Sequence, residues 1–331
     1  MKNSFQIIAA AILAMCLAGC SEKPGAETPV ERLIHTTVSI TGTVETRATG
    51  VTAAQEENVG NLQVFVFDES GAKEFYLNAG ASKTGEIVTS EGRKTITAIV
   101  NAPDLENVTS RNALMTATSL LSDNSLGSMV MTGELDAVLQ DGGNISIPVT
   151  RIISKVVIRK VTSDFTSTVN ASKEFRIKNI YLLNVAGDNT YAATSEPTIW
   201  YNKLYEGYND SGCKSFPLLS DSINTTVAFK SSYTNEHSFY CYPNLISAES
   251  FDATWCPRHT MLVIDATLGS DHVYYPIELP VIGRNKCIII EELVVTRKGS
   301  DEPYKPVEEG SCNVTVSVVP WDVILDYTET I

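Results

Sequence analysis

Apolar and polar residues alternate at a period of two through most of this chain. Clusters of Gly, Asn, Asp and Ser interrupt the alternation, which predicts short strands in place of helices. In the first half the strand-like runs are 33–42, 61–68, 94–101, 128–133, 144–149, 154–161 and 175–185. One stretch departs from the pattern: Leu114, Ala117 and Leu121 recur at intervals of three and four, predicting a short helix within 109–121. In the second half the runs are 225–230, 238–242, 260–268, 272–279, 286–297 and 312–321. There Leu262, Ile264, Ala266 and Leu268 alternate with polar or small neighbours, the mark of a half-buried antiparallel strand. The polar stretch 186–197 lies between the two sets and is read as the boundary. The expected fold is all-β, with two tandem β-sandwich domains at 48–190 and 191–331 and a short helix in the first.

The amino end follows a different logic. Twelve apolar residues run from Ile7 to Ala18 after a single Lys, too short a run to cross a bilayer and of the length of a signal peptide. The run ends in Leu17-Ala18-Gly19-Cys20, which resembles the bacterial lipobox. That resemblance implies that 1–19 are removed and that Cys20 is acylated. Residues 20–47 would then form a propeptide, and the chain would be anchored to a membrane by lipid instead of spanning it. Apart from Cys16 and Cys20, the cysteines are Cys213, Cys241, Cys256, Cys287 and Cys312. Their odd number leaves at least one thiol unpaired in a monomer, and no pairing is assigned. Cys256 and His259, with His237 and Cys241 upstream, outline a zinc site only loosely, because the spacing fits no closed structural pattern. No metal or cofactor is expected.

Charge narrows the choice of partners. Twenty-five Lys and Arg stand against 39 Asp and Glu, a net charge of −14, and no basic cluster is present to displace counterions from a phosphate backbone. Nucleic acid is therefore excluded as an expected partner. An apolar content of 43% is enough for a packed core, and 63 residues are Thr or Val, both strand formers. Only four histidines occur, His35, His237, His259 and His272, none within a hydrolase or zincin motif, and no phosphate-binding glycine loop is present. The abundant carboxylates read as a solvated face, and the chain is expected not to be an enzyme.

Several runs, taken in order, are similar to the Bacteroidia-type fimbrillins, the type V pilins. They are LAGC at 17–20, VFVFD at 64–68, MVMTG at 129–133 and the strand from Arg151 through Lys155 to Ile158. FYCYPN at 239–244, RHTMLVIDATL at 258–268, VYYPIEL at 273–279, Arg284-Asn285, LVVTRKGSDEP at 293–303 and VTVSVVPW at 314–321 continue the set. Cys287 stands where similar proteins often carry an aromatic residue. Asp221-Ser222-Ile223 resembles the O-glycosylation site of some bacterial surface proteins.

The resemblance implies two transthyretin-like sandwiches, export as an outer-membrane lipoprotein precursor and residence in a cell-surface fimbrium that supports adhesion. It also implies cleavage by an arginine-specific surface protease that removes the first strand, and polymerisation with other pilin subunits by donor-strand exchange. The residues offer matching parts. Ile34, Thr36, Val38 and Ile40 share one face of the first strand, and Arg47-Ala48 follows in a Thr- and Gly-rich stretch suited to cleavage. A cut at the competing Arg32 would leave that strand attached. At the other end Val323, Leu325, Tyr327 and Ile331 alternate with Asp322, Ile324 and Asp326, a candidate donor strand. A stalk subunit is the first expectation. The alternative is a fimbrial anchor or tip subunit, or a monomeric lipid-anchored binding module that keeps its lipid and never polymerises.

Overall fold

The structure, a computed structural model, describes residues 32–42, 56–206, 208–209, 218–246, 249, 255–305, 307 and 312–321. Seven strands form the first sheet system: β1 (Leu33–Gly42), β2 (Leu62–Phe67), β3 (Lys73–Asn78), β4 (Thr84–Ser90), β5 (Gly92–Val100), β6 (Met131–Leu139) and β7 (Gly143–Arg151). Their order is β3-β2-β5-β6-β7-β1-β4. β6 and β7 pair only at Met131–Arg151 and Thr132–Thr150, whereas β7 ladders with β1 from Gly143 to Val149, so β7 turns the corner between two facing layers. Ile34, Val38 and Ile40 of β1 meet Leu62, Val64 and Val66 of β2 and Ile96, Ala98 and Val100 of β5 in the core between those layers.

All six residues of β2 are buried because both its faces are covered. Its even positions face the core just described, and Phe65 and Phe67 face a second, larger core. Helix α1 (Arg111–Thr116) covers that outer face and contributes Leu114, which is fully buried. Ser110 caps the helix by accepting a hydrogen bond from the Ala113 N–H at 3.2 Å. The helix is shorter than its spacing predicts: 118–120 pair as a short strand and 121–123 form a 3₁₀ turn, yet Leu121 still packs into the same core as Leu114.

The strands of the two other large sheets are β8 (Ser154–Ile158), β9 (Val161–Ser163), β10 (Phe175–Leu183), β11 (Ser220–Val227), β12 (Ser231–Tyr233), β13 (His237–Cys241), β14 (Met261–Leu268), β15 (Asp271–Glu278), β16 (Lys286–Val295) and β17 (Cys312–Pro320). β11-β10-β14-β15 form one antiparallel sheet. In the other, β16 runs parallel to β8 and then β9 along one edge and antiparallel to β17 along its other edge. β13 and β12 close the far side against β8 and β9.

Strand pairing changes partners between Arg151 and Ser154. β8 to β10 read from the sequence as part of the first set, but they ladder with strands beyond residue 217. The polar stretch 186–197, expected to be a boundary, is instead folded in: Asp188, Asn189 and Tyr191 are buried. The Asp188 carboxylate accepts from the Thr198 and Ile199 N–H groups at 2.8 Å, so its polarity is satisfied internally instead of by water.

Five buried groups converge where the two sheet systems meet. Glu56 Oε1 accepts from Lys155 Nζ at 2.8 Å and from the Tyr240 hydroxyl at 2.6 Å, and Oε2 accepts from Trp321 Nε1 at 3.2 Å. The backbone carbonyl of Glu56 takes both Nε and Nη2 of Arg151 at 3.2 Å. The Arg151 guanidinium lies 4.5 Å from the centre of the Trp321 ring, which stacks on Tyr240 at 5.7 Å. The carboxylate is held by three donors and one counter-charge, the arrangement a buried ion needs.

A Cβ on Gly133 would lie 2.2 Å from the Pro148 carbonyl oxygen at the β6–β7 corner. Gly133→Ala is therefore expected to destabilise the fold by about 1–3 kcal/mol in chemical denaturation. Glu56→Gln leaves Lys155 buried without its counter-charge and is expected to cost about 3–5 kcal/mol. Adding Lys155→Met should recover most of that loss, and a double-mutant cycle measures it.

Candidate functional site

β1 is an interior strand. It pairs antiparallel with β4, from Leu33–Ser90 to Ser39–Thr84, and parallel with β7, from Thr36–Gly143 to Gly42–Val149. Burial along it alternates because its neighbours cover one face: Ile34, Thr36, Val38 and Ile40 are 1%, 1%, 0% and 8% exposed, while Leu33 is 63% exposed. These are the four residues whose shared face the sequence predicts. Three are apolar, and their burial is worth roughly 4.5–9 kcal/mol at about 1.5–3 kcal/mol each. The fourth, Thr36, donates its hydroxyl to the Gln140 carbonyl at 3.1 Å.

The β6–β7 turn is built around this strand. Gly142 has a φ of +71°, which suits a glycine, and its N–H donates to the His35 carbonyl at 2.8 Å. The His35 N–H donates to Asp141 Oδ1 at 3.0 Å, and its ring nitrogen Nδ1 lies 2.7 Å from Glu86 on β4. Both His35 and Glu86 are well exposed, so that pair adds register more than stability. Taking β1 out would expose an apolar slot and leave the facing edges of β4 and β7 without their ladder hydrogen bonds. Such a slot accepts one extended segment whose inward residues alternate.

Arg47 and Ala48, five and six positions beyond the end of β1, lie outside the described residues, as does Cys20. Val323, Leu325, Tyr327 and Ile331 lie outside them as well, but the point from which that segment departs is described. β17 ladders with β16 and leads into Trp321, whose N–H donates to the Asn285 carbonyl at 3.0 Å and whose ring is clamped by Glu56, Arg151 and Tyr240. Val316 and Val318 of β17 are 39% and 47% exposed, an apolar face on a strand that pairs on one side among the described residues. Sequence periodicity identified neither Glu56 nor Trp321. The signal available was an acidic residue and an indole next to segments already under suspicion, which is too weak to single them out.

The candidate metal ligands are engaged elsewhere. His237 Nδ1 lies 2.7 Å from Asp221 and its Nε2 2.7 Å from the Tyr233 hydroxyl, while His259 Nδ1 lies 2.6 Å from Glu278. Cys241 is wholly buried, and burial pushes its thiol up to about 12; burial does the same to Cys287. Cys287 fills a place in the larger core beside Ile288 and Ile290. Cys213 lies outside the described residues. Among the described residues no group of three or more His, Cys, Asp or Glu is arranged to hold a metal ion. Also among them, no helix is long and apolar enough to cross a membrane.

No family model and no curated protein sequence matches the chain. Solved structures do. A protein assigned to cell adhesion from Bacteroides eggerthii superposes with a TM-score of 0.65 at 17% identity, over 87% of this chain and 96% of that one. A fimbrilin from Porphyromonas gingivalis gives 0.60 at 15% identity, over 88% and 98%. The tip fimbrial protein of the same species, in a form truncated at its C-terminus, gives 0.55 at 12%, over 88% and 100%. At these identities the likeness is one of fold, and it extends over nearly the whole of each relative. The chain has the all-β fold of the fimbrillin-type proteins of the Bacteroidia.

Proposed function

We propose that this chain is a non-enzymatic structural subunit of a cell-surface fimbrium. It is exported with a lipid on Cys20, cleaved between Arg47 and Ala48 by an arginine-specific surface protease, and polymerised with other pilin subunits by strand exchange. The observation that carries this reading is the placement of β1, a strand buried between β4 and β7 and followed closely by a lone arginine in a Thr- and Gly-rich stretch. A strand in that interior position keeps the slot filled in the precursor, and a cut at Arg47 would let it leave without threading a loop. In the polymer, Val323, Leu325, Tyr327 and Ile331 of one copy would occupy the slot of the next. The two sheet systems act as two sandwiches in this reading, the first offering the slot and the second carrying the tail. The solved relatives named for fimbriae and for cell adhesion support the same assignment.

The stalk reading is favoured over an anchor because one chain carries both a strand in an exchangeable place and a tail whose root is fixed at Trp321. Protein recovered from surface filaments is expected to begin at Ala48. An acylated Cys20 at its amino end would instead mark an anchor, and trypsin-like treatment of the folded precursor that cuts only at Arg32 would rule out the activation step. Replacing Cys20 with Ala should abolish lipid labelling and surface delivery.

Deleting 323–331, or introducing Leu325→Asp, is expected to leave a folded and exported monomer that forms no filaments, since a charge in the apolar slot costs several kcal/mol. Normal assembly of both variants, seen by electron microscopy, would reject the tail as donor.

A further inference from the structure

A second concave site lies at the β6–β7 corner, on the face away from the core that β1 completes. It is a cavity of about 530 Å³, within the range of roughly 300–1,000 Å³ typical of small-molecule sites. Arg284, Arg111, Glu134, Met115, Pro148 and Tyr191 are among the residues that line it. The side chain that matters most is Arg284. Its Nε donates to the Arg151 carbonyl at 3.3 Å. Its Nη2 donates to the carbonyls of Thr132 and Thr150 at 3.3 Å, to the Thr150 hydroxyl at 3.0 Å and to the Thr132 hydroxyl. Every one of these acceptors is neutral. Among the described residues no carboxylate pairs with this guanidinium, and Nη1 takes no hydrogen bond.

A half-buried guanidinium without a counter-charge is uncommon in a protein with 39 acidic residues and a net charge of −14. Burial alone presses the Arg284 guanidinium below its ordinary value, with no carboxylate to offset it. The other arginine in the cavity is already matched: Arg111 donates Nε to Glu134 Oε2 at 2.8 Å and Nη2 to Glu134 Oε1 at 2.5 Å. Arg111 is balanced by Glu134, with Asp136 acting on it as well, which leaves Arg284 as the unmatched charge among the lining residues. A single carboxylate neutralises it, whereas a phosphate dianion would overshoot beside Glu134. Nη1 of Arg284 supplies two unused N–H donors for that carboxylate.

The rest of the lining selects the body of the ligand. Met115 and Pro148 supply apolar surface to the lining. The Glu134 carboxylate, held by Arg111, and the Thr150 hydroxyl, held by Arg284, also line the cavity and keep lone pairs for further donors. Apolar surface together with such acceptors suits a pyranose ring, which presents both carbon faces and hydroxyl donors. We propose that this cavity binds a sugar carrying a carboxylate, a hexuronate, with the carboxylate on Arg284 Nη1 and the ring against Met115 and Pro148. None of these residues belongs to β1 or to the tail, so a failure here leaves the strand-exchange reading standing.

The test is calorimetric titration of the full chain with glucuronate, glucose and acetate. Glucuronate is expected to bind at least tenfold more tightly than either of the others. Arg284→Gln should abolish that preference. Because this variant could lose its fold by freeing the carbonyls that Arg284 ties together, Met115→Trp provides the second arm. It adds bulk to the wall against which the ring would lie, removes none of the hydrogen bonds of Arg284, and should weaken glucuronate binding at least tenfold at unchanged thermal stability. Equal affinity for glucuronate and glucose would overturn recognition of the carboxylate. Equal affinity for glucuronate and acetate would overturn the sugar, and unaltered binding by Met115→Trp would overturn the site.

Discussion

The buried carboxylate of Glu56 is the contact on which the rest of the arrangement depends. It is 4% exposed and joins Lys155 on β8, Tyr240 on β13 and Trp321 beyond β17, while its own carbonyl fastens Arg151 at the end of β7. A lone carboxylate in such a place would cost several kcal/mol. Here it is tolerated because every partner is fixed by a different strand, so the network forms only when both sheet systems are in place. The contact thus reports on the completed fold instead of any local element. It also ties down Trp321, the residue that precedes the tail.

β1 stands in contrast. It joins the described fold through three buried apolar side chains, ladders on two sides and a few side-chain bonds such as that of Thr36 to Gln140. Its stabilisation is of a kind another strand can reproduce: backbone hydrogen bonds that carry no sequence requirement, plus alternate apolar residues. The Glu56 network has the opposite character, being specific in every atom. The division leaves replaceable contacts at the slot and irreplaceable ones at the junction, the arrangement that the proposed exchange of one strand calls for.

The outer face of the first sheet adds another aspect. The β6–β7 corner exists because Gly133 lets the Pro148 carbonyl approach to a distance no side chain would permit. Arg284, reaching across from the segment before β16, binds the carbonyls of Thr132 and Thr150 that the corner brings together. The same corner that admits β1 on its inner side therefore shapes the polar cavity on its outer side.

Periodicity alone determined the all-β class, the alternating face of β1 with Ile34, Thr36, Val38 and Ile40, and strands such as β2, β14 and β16, because a strand half or wholly buried writes its burial into its sequence. β3 and β4 escaped that reading. β3 is half-exposed along most of its length, and in β4 only Ile87 and Thr89 are buried, so neither carries a clear alternation. The stretch 186–197 looked like a linker because polar composition does not reveal whether a side chain is satisfied by water or by the chain, and Asp188 is satisfied by the chain. The switch of strand partners after Arg151, the Glu56 junction and the unmatched charge of Arg284 were decided only by the tertiary structure. Each depends on residues up to 265 positions apart meeting in space, and a one-dimensional pattern holds no record of such distances.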